Sequence, residues 1–93
     1  MALADRRDDL EEQRLIDRHI DPDFERYGGR ADARLRESGA SIWAIVEFLD
    51  VYNGDRNEIA GHFGISQEEI DAALEYYRRN RRFVDARITL NEA

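Results

Sequence analysis

Residues 55–77, DRNEIAGHFGISQEEIDAALEYY, read as two helices joined by a tight turn, and that reading decides the fold. Ile59, Ala60 and Phe63 share one face of the first helix. Gly64 suits the left-handed conformation that ends a helix, and Ile65 can plug the turn. Ser66 with Glu69 three residues on has the form of a capping box, in which side chain and backbone donors satisfy each other. Ile70, Ala73, Leu74 and Tyr77 then follow at helical spacing. The unit is a helix-turn-helix, which serves as a packing device as often as a DNA reader. Its second helix would expose Gln67, Glu68, Asp71 and Glu75, whereas a major-groove helix normally offers Arg, Lys, Asn or Gln to phosphates and base edges. Of these four, Gln67 alone fits.

Upstream, Ser41 can cap a helix over residues 41–53, with Ile42, Ile45, Val46 and Leu49 on its inner face and Trp43 and Phe48 off that stripe. A helix apolar nearly all round is covered on more than one side, by the strands expected next to it or by a second subunit. Asn53 and Gly54 close it. Before Gly39, residues 31–36 alternate Ala31, Ala33 and Leu35 with Asp32, Arg34 and Arg36, which predicts a half-buried strand. Residues 15–20, LIDRHI, alternate imperfectly and predict another. Between them lies a loop with the sole proline, Pro22, and the pair Gly28-Gly29, in which Phe24 and Tyr27 are expected to cap the core edge. Residues 1–14 form a charged N-terminal arm whose only helically spaced apolar pair is Leu3 and Leu10.

Downstream, nothing in residues 80–93 stops a helical extension of the second helix, and Asn80 is the expected place for a kink. In one continuous helix Arg78, Arg81 and Arg82 share a side while Arg79 points elsewhere. The sequence thus predicts one domain over residues 15–93, mainly α with a small β ribbon. It is a winged-helix-like, three- to four-helix domain preceded by two short strands.

Composition bounds what such a domain can do. Its 93 residues hold 21 acidic against 14 basic side chains, a formal charge of −7, so the whole repels nucleic acid and anionic membrane. All the basic residues are arginine, which suits bidentate pairing and equally reflects a GC-rich coding bias. No cysteine is present, which excludes disulfides and thiolate chemistry. Neither a signal peptide nor a membrane span is legible, and a cytoplasmic, prokaryotic protein is the default.

From Leu15 to Ile88 the chain resembles the small bacterial domains grouped as domain of unknown function 433, described as antitoxin-like. The likeness is carried by Glu58-Ile59-Ala60 and above all by AALEYYRRNRRFVDARI at Ala72 to Ile88. Where that family usually has Gly-Thr-Arg-Ile before the first helix, this chain has Glu37-Ser38-Gly39-Ala40-Ser41-Ile42, without the Thr-Arg pair. The resemblance implies a compact helical domain with a ribbon-like N-terminal part, often encoded beside a PIN-type ribonuclease toxin.

Candidates for catalysis are few. His19 and His62 sit in unrelated elements and read as structural. The carboxylates at Glu68, Glu69, Asp71 and Glu75 read as a solvated face, and Gly28-Gly29 lacks the spacing of a phosphate loop. The expectation is therefore no enzyme, no catalytic residue, no metal and no cofactor. The expected function is that of a small non-catalytic interaction and regulatory protein, antitoxin-like, which binds itself as a homodimer and a partner such as a PIN-type toxin. Its expected protein interface is Trp43, Phe48 and Phe83. The alternative is a dimeric DNA-binding regulator, with Gln67, Arg78, Arg79, Arg81 and Arg82 as contacts to DNA or partner and weak binding by the lone protein.

Overall fold

The computed structural model describes residues 2–23 and 28–92. Phe24 and Tyr27, expected at the core edge, lie outside these. The order is α1 (Ala2–His19), a 3-10 turn (Arg30–Asp32), α2 (Ile42–Val51), α3 (Arg56–Phe63), α4 (Gln67–Arg79) and α5 (Arg81–Glu92).

The expected β ribbon and its two preceding strands are absent among the described residues, and this corrects the fold class from a winged-helix-like mixed domain to an all-helical one. Residues 15–20 fail as a strand because they finish a longer helix. Residues 2–19 contain no glycine or proline and are rich in Ala, Leu, Glu, Gln and Arg, the best helix formers. Leu15 with His19 and Ile16 with Ile20 are also i, i+4 pairs, and Gln13 Nε2 donates to Asp17 Oδ1 at 2.8 Å across one turn. The arm of residues 1–14 and this segment are accordingly one element over the described positions.

Of residues 31–36, Ala31 and Asp32 belong to the 3-10 turn and are both half-buried, and residues 33–36 keep the alternation without becoming a strand. Ala33 and Leu35 are fully buried while Arg34 and Arg36 are exposed, so an extended chain does present alternate side chains to the core. It pairs only through isolated antiparallel bridges, Ile20 with Leu35 and Arg34 with Ser41. With five helices to rest on, two bridges suffice to satisfy this stretch, and no ladder propagates.

The helix-turn-helix forms as its residues dictate. Asp55 caps α3 by accepting from the backbone N–H groups of Asn57 and Glu58 at 3.1 and 3.3 Å. Gly64 ends α3 at φ 65°, ψ 41°, and Ile65 donates its N–H to Ala60 O while its side chain is buried. The Ser66–Glu69 capping box closes in both directions, Glu69 N to Ser66 Oγ at 3.1 Å and Ser66 N to Glu69 Oε1 at 2.9 Å. Asn80 then separates α4 from α5, its side-chain amide donating to Tyr76 O at 3.0 Å.

The core gathers on α4. Ile70, Ala72, Ala73 and Tyr76 are all buried, joined by Ile42 and Ile45 of α2, Ile59 of α3, Val84 of α5 and the extended residues Ala33 and Leu35. Because Ala72 and Ala73 are adjacent, about 100° apart on the helix, α4 is covered on two sides at once. α2 is likewise surrounded, by the 3-10 turn, α3, α4 and α5. This packing buries Ile42 and Ile45 and partly covers Trp43, Val46, Phe48 and Leu49, while Val51 stays exposed.

Two outcomes test these assignments. Gly64→Val should cost about 1–3 kcal/mol because a branched residue is held at positive φ, whereas Gly64→Asn should be tolerated. Equal melting temperatures for the two variants would show that the turn is not constrained as described. The second concerns Tyr76, whose hydroxyl donates to Arg30 O at 2.7 Å and is pushed by burial up to about 12 from its ordinary 10.0. A raised folded value means stability held below pH 10 and lost as pH climbs through 12. Tyr76→Phe should therefore lose about 1 kcal/mol at neutral pH and flatten the alkaline decline, both read from urea midpoints at neutral and alkaline pH.

Candidate interaction site: an acid-rimmed groove

The structure scatters the residues that the sequence grouped. Arg78 and Arg79 turn toward α1. Arg78 pairs with Glu75 on its own helix and with Glu12 at 2.8 Å. Arg79 reaches Glu12 at 3.2 Å, Gln13 Oε1 at 2.6 Å and the Asp9 carbonyl at 3.2 Å. Arg81, beyond the break at Asn80, lies over the Tyr77 ring at 5.2 Å from its centroid. Arg82 is exposed at the start of α5. The expected common side for Arg78, Arg81 and Arg82 presumed an unbroken helix, and Asn80 removes it.

Gln67 is likewise occupied. Arg56 at the start of α3 donates through Nε to Gln67 Oε1 at 3.1 Å and through its terminal nitrogen to Gln67 O at 3.2 Å, and it also pairs with Asp71. The Gln67 amide nitrogen donates to Asn57 Oδ1 at 3.3 Å. These bonds brace the first turn of α4 against α3 and use both polar atoms of the side chain that could have read a base.

The face of α4 that a DNA reader would present is crossed by α1. Glu68 accepts from Arg18 at 3.1 Å and lies 2.6 Å from His19 Nε2 at one end, and the Glu12 contacts hold the other. The two helices run antiparallel, with Glu68, Ala72, Glu75 and Arg79 forming the contacted stripe at spacings of four, three and four. The hydrogen bond with His19 foremost, and the charge of Arg18 with it, holds the Glu68 carboxyl below its ordinary range. Bonds with Glu75 first and Arg79 next do the same for Glu12.

Of the three interface candidates, Trp43 and Phe48 are used inside the chain. The Arg87 guanidinium stacks on the Trp43 ring at 4.4 Å from its centroid, and Arg87 also pairs with Asp32 at 3.0 Å. Phe48 stacks on His62 at 4.5 Å and meets Phe63 edge-on at 5.5 Å, which seals α2 against α3. His62 is thus a stacking partner. Phe83 is half exposed, with the Arg30 guanidinium 5.5 Å from its centroid.

A concavity lies elsewhere, between α2, α4 and α5, with a volume of about 820 Å³. Its floor is apolar, from Val46 and Leu49 of α2, Leu74 and Tyr77 of α4 and Ile88 of α5, and Val51 stands 63% exposed at its lip. Its rim is acidic: Glu47, Asp50, Asp85 and Glu92 line it, against Arg56, whose charge is matched by Asp71. Tyr77 donates its hydroxyl to Asp85 at 2.8 Å, and burial first, then that bond, pushes the phenol up. Sequence reasoning missed this site because the Val46–Leu49 face looked like core. The signal was there in acids alternating with apolar residues along α2: Val46, Glu47, Leu49, Asp50, Val51.

No protein-family model matches the chain, and neither a curated protein nor a solved structure matches it. Among the described residues no group of three or more His, Cys, Asp or Glu side chains is placed to hold a metal ion, and no helix is long and apolar enough to cross a membrane.

The α1–α4 contact carries a pH prediction. Glu68 and Glu12 have folded values below their ordinary 4.5, so their contribution is fully present above that value and lost as pH falls through the lowered ones. Amides of α1 should therefore lose hydrogen-exchange protection on acidification before those of α2 and α4. Glu68→Gln should weaken α1 protection at neutral pH. Simultaneous loss across all helices would contradict this attachment.

Proposed function

We propose that the chain is a small non-catalytic interaction protein of antitoxin-like type, acting in the cytoplasm, that binds itself and a partner protein. The single observation that carries the reading is the groove between α2, α4 and α5, which combines an exposed apolar floor with an unbalanced acidic rim. Binding sites commonly combine an apolar lining with a few polar groups at its edge, as this groove does. The antitoxin role, and a PIN-type ribonuclease as the partner, come from the sequence resemblance to domain of unknown function 433.

Direct DNA reading by the helix-turn-helix draws no support from the contacts. Gln67 is held by Arg56 and Asn57, α1 crosses α4, and Arg78 and Arg79 are matched by carboxylates. Phosphate contacts need cations with charge to spare.

The test is co-expression of the tagged chain with the product of the reading frame adjoining its gene. The expected result is a co-purifying complex in which that product's ribonuclease activity is suppressed, and a dimeric mass by light scattering for the chain alone at tens of micromolar. A monomer that retains no protein and leaves the ribonuclease active would end the proposal.

A further inference from the structure

We infer that the groove docks a basic amphipathic helix of a partner protein, with the helix's apolar side chains on the groove floor and its Lys or Arg side chains against the rim. This rests on the reading of the chain as an interaction protein and names the partner's chemistry.

The geometry selects a helix. Helices form the groove's walls, and its floor residues come from three of them, so the complementary object is a rod with an apolar stripe at i, i+3, i+4 and i+7. Strand addition would need an unpaired sheet edge, and the described residues contain no sheet.

The charge selects its sign. Asp50 and Glu92 are exposed on the rim, Glu47 accepts a long 3.4 Å bond from the neutral amide of Asn91, and Asp85 accepts from Tyr77. Arg81, hydrogen-bonded to the Tyr77 hydroxyl, stands near Asp85, and Arg56 is matched by Asp71, which leaves Glu47, Asp50 and Glu92 as the rim acids without a cation partner among the described contacts. The rim therefore presents up to four formal negative charges around a low-dielectric floor, in a molecule of net charge −7. An acidic segment or a nucleic acid would be repelled, and a basic one attracted and steered.

A second copy is the less fitting occupant. Its exposed apolar side chains beside arginines are Phe83 and Leu90 with Arg82 on α5, and Leu10 with Arg14 on α1. A contact placing α5 of one copy in the groove of another would set the acids Asp85 and Glu92 of that helix against an acidic rim.

The probe is a synthetic amphipathic helix of about 18 residues, five turns, with a leucine stripe flanked by lysines. Its controls are the same helix with glutamates for lysines and a peptide of residues 79–92 of this chain. Each is titrated into the isotope-labelled protein at ~150 mM salt. The expected result is saturable binding of the lysine helix alone, with amide shifts at Leu49, Val51, Leu74 and Ile88. Binding should weaken by roughly tenfold in Asp50→Lys/Glu92→Lys, two exposed positions whose replacement leaves the circular dichroism unchanged. Equal binding of lysine and glutamate helices, shifts on another face, or no binding would overturn the inference, and preferential binding of residues 79–92 would transfer the groove to a second copy. If a co-purified partner is retained equally by the rim variant, the groove assignment fails while the interaction reading stands. If no partner is found, the peptide titration still decides the groove by itself.

Discussion

The structure depends on α4 being enclosed. Two consecutive alanines, Ala72 and Ala73, are fully buried on faces about 100° apart, so helices can approach from both directions without a large side chain between them. Ile70 and Tyr76 extend the burial one turn each way. With α4 fixed in the middle, α2 and α5 settle on one side and α1 on the other, and the polar residues at the borders find partners in the elements they meet. An enclosed second helix makes this helix-turn-helix a scaffold. Val51 of α2 and Phe83 and Leu90 of α5 are among the apolar side chains left facing the surroundings.

What was legible in the sequence was local. Gly64, Ser66 and Glu69 act within three or four residues of themselves and do what their types and spacing require, whereas Ser41, expected to cap α2, makes no side-chain cap bond. What failed required knowledge of distant partners. LIDRHI looks like a strand in a six-residue window and a helix in an eighteen-residue one, and the longer window governs because helix formation is cooperative. From sequence alone Arg78 and Arg79 are expected to contact DNA or a partner, because Glu12 lies 66 and 67 residues away, and Trp43 is expected at a protein interface, because Arg87 lies on another helix. The candidate groove fell between these cases: its acids were visible along α2, yet the space between them exists only once α5 has folded back beyond Asn80.

Separation of charge organises the surface as much as apolar burial organises the interior. The cations of α4 and the start of α3 are matched by carboxylates within reach, whereas Glu47 of α2 and Asp85 of α5 accept from the neutral donors Asn91 and Tyr77. Exposed pairs of this kind add little to stability, so their arrangement bears more on which surfaces attract other molecules than on how firmly the domain holds together. Arginine suits the matched role, since one guanidinium serves two carboxylates at Arg78 and both side chain and backbone at Arg56.

The attachment of α1 differs in kind from that of the other helices. From residue 9 onward it contributes Leu15 and Ile16 as partly buried apolar side chains and otherwise holds by ion pairs and hydrogen bonds at its edges. The stripe it covers on α4 recognises a sequence of charges and has no means of telling its own α1 from that of a neighbouring molecule. Covalent tethering alone gives the resident helix its advantage, as an effective concentration.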